Sequence, residues 1–167
     1  MVEGEGALAD REAFKEGKRM SRNLDAAIAE ALGYEVEWKD ATHDPECGGL
    51  ELAYWEDHPD DELAEGTKEI YYSGQHGGLP PVKQPFYRDE YGYWEIVPFY
   101  HEDGNAMLEL DKEMRERGWW LETWSERNFC CAAYDRGSTY HKAAANTEPL
   151  ARALAAYKAL KGEEWVS

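Results

Sequence analysis

Basic residues are scarce in this sequence. Eighteen Lys and Arg stand against 35 Asp and Glu, for a formal net charge of −17. Phosphate contacts need clustered cations, so this balance disfavours direct binding to nucleic acid. It suits a basic partner protein, mimicry of a polyanion, or plain solubility. Cysteine is scarcer still, with three in 167 residues. An odd count containing the adjacent pair Cys130-Cys131 is no disulfide framework, and Cys47, Cys130 and Cys131 read as free thiols of a reducing compartment. No apolar run approaches the ~20 residues that cross a bilayer, so no membrane partner is expected. Residues 1–10 are acidic and lack the apolar core of a signal peptide, which points to the cytoplasm.

Catalytic patterns are lacking too. Gly74-Gln-His-Gly-Gly78 is glycine-rich, but no Lys-Ser/Thr follows it and no helix is evident after it, so it is neither a P-loop nor a dinucleotide fingerprint. With 35 acids in the chain, neighbouring carboxylates carry no information. No Ser-His-Asp or Cys-His arrangement can be asserted. His43, Asp44, Glu46 and Cys47 are all possible zinc ligands, yet no second Cys/His pair supports them, and an acidic loop ranks above a metal site. The chain is not expected to be an enzyme, and no cofactor or metal is implied.

Aromatic residues are abundant instead, with seven Trp and eleven Tyr in a chain that is 43% hydrophobic. The length fits one domain. Residues 1–22 read as an N-terminal arm that could hold a short helix. Asn23 is placed to cap a helix whose stripe is Leu24, Ala27, Ile28, Ala31 and Leu32, closed by Gly33. Residues 34–38 alternate as a strand does. Residues 40–70 then hold eleven acids and one lysine, with two short strand candidates at 50–55 and 69–72. Residues 82–100 are dense in aromatics, and 94–97 reads as a strand. Asp103 or Asn105 opens a helix that stops at Gly118. Residues 119–124 and 129–134 form a hairpin, and 139–141 is a short strand. Thr147 and Pro149 open a last helix that ends at Gly162. The order predicts an α+β fold in which helices pack on a mostly antiparallel sheet.

Three stretches carry a resemblance. They are Leu24-Asp-Ala-Ala-Ile-Ala-Glu-Ala-Leu-Gly-Tyr-Glu-Val36, Asn105-Ala-Met-Leu-Glu-Leu-Asp-Lys-Glu-Met-Arg-Glu-Arg-Gly-Trp-Trp120, and residues 143–162 with Asn146-Thr-Glu-Pro149. In this order they resemble the phage ABA sandwich domain family of small bacteriophage and prophage proteins. The likeness covers about 80 residues and rests on helix pattern and caps. It implies an α-β-α sandwich over residues 23–167, a phage origin and a bacterial host cell. Residues 40–100 are longer and more acidic than the family pattern, so they read as an insert. The resemblance implies no catalytic residue.

Two functional expectations follow. The first is sequestration of a nucleotide-type immune signal, to counter bacterial defence. Stacking a base on an aromatic contributes about 1–3 kcal/mol. The candidate rings are Tyr54, Trp55, Tyr71, Tyr72, Tyr87, Tyr91 and Trp94. The candidate phosphate partners are Arg88, Arg127, Arg136, His141 and Lys142. Small stacking pockets are often completed across subunits, so a homo-oligomer is a candidate assembly. The second is an acidic inhibitor that mimics nucleic acid and occupies a basic surface of a host or defence protein.

Overall fold

Residues 21–31 form helix α1 in the computed structural model, which describes residues 21–43, 50–52 and 82–166. Residues 21 and 22 are already helical, so Asn23 lies inside the helix and does not cap it. The inward side also differs from the expected stripe. Leu24, Asp25, Ala26, Ile28 and Ala29 are buried, while Ala27 and Ala31 are half-exposed.

An aspartate buried on an apolar helix face needs partners that satisfy its charge. Asp25 has three. Arg22 Nη1 donates to Asp25 Oδ2 at 2.6 Å and also to the Pro98 carbonyl at 3.2 Å. The His101 backbone N–H donates to Asp25 Oδ1 at 3.1 Å, and His101 Nδ1 lies 2.6 Å from Oδ2. The Arg22 guanidinium also lies over the Phe99 ring, 3.7 Å from its centroid. Burial pulls the Arg22 pKa below its ordinary value, and Asp25 offsets part of that pull.

The chain divides into two units, residues 32–97 and the remainder. In the first, four antiparallel strands form one sheet in the order β2-β1-β3-β4: β1 Val36–His43, β2 Leu50–Leu52, β3 Val82–Arg88 and β4 Trp94–Ile96. Ala41, Leu52, Phe86 and Trp94 make its core, with Leu50 and Ile96 packed against them. Strand β3 was not expected from the aromatic-dense run, and it holds Pro85. Proline lacks the N–H a central strand needs. The Pro85 carbonyl accepts from Val97 N at 2.9 Å, so the missing donor falls where the β3–β4 ladder ends.

The other unit holds α1, α2 (Gly104–Glu116), a second sheet in the order β5-β6-β7 (Trp120–Glu126, Phe129–Arg136, Thr139–Ala145) and α3 (Glu148–Lys161). Asp103 caps α2 by accepting from Asn105 N. Thr147 sits at the N-cap of α3, although its side chain makes no cap bond. Helix α3 packs on β6 and β7 and against α2. The hairpin strands are longer than expected, since the turn between β5 and β6 is only Arg127-Asn128 and does not take up Ser125 and Glu126. The architecture is α+β, with antiparallel sheets and helices packed on one of them. No described helix is long and apolar enough to cross a membrane.

Breaking a buried ion pair on one side costs about 3–5 kcal/mol. Asp25→Ala should therefore lower unfolding free energy by about that amount in a urea titration. The double change Arg22→Met with Asp25→Leu should cost less, because it leaves no buried charge behind. Tyr134, fully buried in β6, gives a second test. Burial, reinforced by the Asp111 carboxylate, keeps its hydroxyl protonated far above the ordinary tyrosine range. The unfolded chain releases that proton from about pH 10, while the folded chain retains it. Stability is thus unaffected below pH 10 and falls as pH rises above it. Relative to Tyr134→Phe, the wild type should lose about 1.4 kcal/mol per pH unit in that window.

Candidate functional site

Within each unit, the described members of the expected nucleotide-binding set are divided between the two faces of a sheet. Tyr54, Trp55, Tyr71 and Tyr72 lie outside the described residues, as do the Gly74–Gly78 loop and Asp44, Glu46 and Cys47 of the possible metal cluster. Tyr87 and Trp94 take opposite faces of their sheet, because Tyr87 pairs with Glu95 and Arg88 pairs with Trp94. The Tyr87 hydroxyl donates to Glu95 Oε2 at 2.9 Å, and its ring lies 5.0 Å from Tyr34. Trp94 is buried, and Arg88 and Lys39 already sit over its ring at 4.4 and 4.6 Å. Tyr91 is exposed in the β3–β4 turn, its backbone N–H bonded to Asp89 Oδ1.

Arg127, Arg136, His141 and Lys142 belong to the other unit and are also split. Arg136 stacks on Trp119 at 4.5 Å, with His141 5.7 Å from the same ring. Arg127 lies in the exposed hairpin turn. Lys142 emerges on the opposite face, where its Nζ lies 5.1 Å over Trp124.

That opposite face is the most unusual surface described. Strand residues alternate between faces with a period of two, and the register fixes which residues share a side. Tyr134 and Ala132 point toward the helices, since Asp111 of α2 and Arg152 of α3 both act on the Tyr134 hydroxyl. The other face therefore carries Trp120, Glu122, Trp124 and Glu126 from β5, Cys131, Ala133 and Asp135 from β6, and Tyr140, Lys142 and Ala144 from β7. Its floor is small: Cys131 and Ala133 are buried beneath longer neighbours. Its rim is aromatic and acidic. Trp120 is 67% exposed and Tyr140 is 52% exposed. Glu122, Glu126 and Asp135 are exposed as well. Burial, with the Glu126 charge added, pushes the Cys131 thiol pKa up. Cys130 points to the helix side, and both thiols are free.

A helix cap sets the first of these aromatics. Gly118 N–H bonds to Arg115 O at 2.9 Å and Trp119 N–H bonds to Met114 O at 3.0 Å. This double bond pattern is a Schellman motif, and it needs a left-handed residue at Gly118, whose φ is +86°. Trp119 then packs inward beside Met114, both of them buried, and the next residue must face out. At the far end Gly137, with φ +68°, opens the two-residue turn that aligns Tyr140 opposite Asp135.

Trp120, Tyr140 and Asp135 were not among the candidates drawn from the sequence. The available signal was the Trp120-x-Glu122-x-Trp124-x-Glu126 alternation, in which large apolar rings share a face with carboxylates. The Asp25–His101 pair has the geometry that orients a general base. However, His101 Nε2 lies 3.6 Å from Glu102, and among the described residues no serine, threonine or cysteine is hydrogen-bonded to it.

If the rim aromatics serve binding and not the fold, their loss should leave stability almost unchanged. Trp120→Ala and Tyr140→Ala should each stay within about 0.5 kcal/mol of wild type in denaturant titrations. Phe86→Ala, in the core of the other sheet, should cost about 3–5 kcal/mol. Comparison of the chain with family models, with curated proteins and with solved structures returned no match.

Proposed function

We propose that this chain is a non-enzymatic, acidic binding protein that docks its open three-stranded face on a basic surface of another protein. One observation carries the reading: exposed Trp120 and Tyr140 stand beside Glu122 and Asp135, which no ion pair among the described residues engages, on a sheet face that no described element covers. Tryptophan and tyrosine at the centre of an interface commonly supply most of its binding energy. Carboxylates around them select a basic partner and steer its approach. The net charge of −17 acts in the same direction at longer range. The likeness to phage ABA sandwich proteins favours a bacterial host or defence protein as that partner, with the acidic face standing in for nucleic acid.

Nucleotide sequestration ranks second. Phosphate would meet Glu122, Glu126 and Asp135 on the open face, where Lys142 is the single cation among the described strand residues. On the other sheet, the Trp94 ring already carries two cations.

The test starts from proteins captured on the immobilised chain from a bacterial lysate. Each candidate is then purified and its affinity measured by calorimetry. Docking through this face predicts that the double change Trp120→Ala with Tyr140→Ala weakens binding by about 2 kcal/mol or more. It also predicts steep weakening as salt rises past 0.1 M, where charges are screened beyond about 10 Å. Binding indifferent to the double variant would sink the reading. So would a thermal shift with cyclic di- or trinucleotides, since a ligand at 100 times its dissociation constant adds about 2.7 kcal/mol.

A further inference from the structure

The register places three residues of the open face in one row across all three strands. Trp120 pairs with Asp135, and Asp135 pairs with Tyr140. Strands in a sheet lie about 4.8 Å apart, so the two aromatic residues stand about 10 Å apart at the backbone with the carboxylate between them. All three side chains are exposed, and no ion pair among the described residues engages Asp135. A cation seated on Asp135 would lie within about 6 Å of either ring, the range in which a ring quadrupole attracts it. The same face shows a ring accepting an ammonium group, because Lys142 Nζ already lies 5.1 Å over Trp124, four residues along β5 from Trp120.

We infer that Trp120, Asp135 and Tyr140 form a clamp for one basic side chain of the partner, and that the preferred side chain is arginine. A guanidinium is planar and stacks on aromatic faces, and its fork matches a carboxylate in two parallel hydrogen bonds. A lysine ammonium offers a point charge and no plane to stack. The remaining rim residues, Glu122 and Glu126, add charge around the clamp without shaping it. This inference rests on the docking role proposed for the face and names the group that the face recognises.

The experiment uses the full chain, labelled with nitrogen-15, and three blocked amino acids as probes: the N-acetyl methylamides of arginine, lysine and norleucine. The Trp120 indole N–H signal should move saturably with the arginine probe, less with lysine, and not with norleucine. Asp135→Asn keeps the shape and removes the charge. It should weaken the arginine affinity about three- to fivefold, the upper end of the range of an exposed ion pair. Trp120→Ala or Tyr140→Ala should abolish saturation, read at the Asp135 amide. An equal response to norleucine, or an Asp135→Asn variant that binds as wild type does, would overturn the clamp. If the clamp fails while a purified partner still depends on Trp120 and Tyr140, docking stands and only the arginine assignment falls. If the partner is also indifferent to those rings, both fall.

Discussion

A single carboxylate fixes where much of one unit begins. Asp25 lies on the inner side of α1 with no exposure, and it is tolerable there because Arg22, the His101 N–H and the His101 ring surround it. Those bonds hold residues 98–101 against α1. From that anchored segment Asp103 caps α2, the Gly118 turn closes it, and Trp119 packs inward. The outward aim of Trp120 is therefore the last step of a sequence of local constraints that starts at a buried charge. Removing Asp25 would loosen the end of the chain of contacts as well as its start.

Much of the helical part was legible in the sequence. Apolar spacing and end signals located α2 and α3, and Gly118 and Gly162 end them as their composition suggests. The start of α1 was misjudged because a cap residue is a weak signal when a helix begins upstream of it. Strand β3 lay unread within the aromatic-dense run, and it tolerates Pro85 because the missing N–H falls at the end of a ladder. The hairpin strands were read short, because Ser125 and Glu126 look like turn residues but pair across the ladder with Cys130 and Phe129.

The candidate site was less legible, for a physical reason. Aromatic density drew attention to Tyr87, Arg88, Tyr91 and Trp94, yet a strand sends neighbouring residues to opposite faces, so local density is a poor guide to convergence. Trp94 in particular is core material whose ring is already occupied. The row of Trp120, Asp135 and Tyr140 depends on register across two turns. Register follows from which residues are buried on the far side, here Tyr134 and Ala132, and only the folded chain displays it. The cations of the expected set are divided by the same alternation: Arg136 and His141 gather at Trp119, while Lys142 lies across the sheet from them.

The two tight turns that frame β6 have a consequence for how this surface can change over time. Arg127-Asn128 and Gly137-Ser138 leave no slack, so one inserted or deleted residue in β5 or β7 would exchange the two faces of that strand. Rings would be driven under the helices, and core residues would be expelled. Substitution at the exposed rim carries no such penalty, and only the small, buried floor of Cys131 and Ala133 is constrained on that side. The face can therefore diverge rapidly residue by residue while its frame stays fixed in length. Lineages of this protein should show rim residues that change with the partner between strand ends whose spacing never changes.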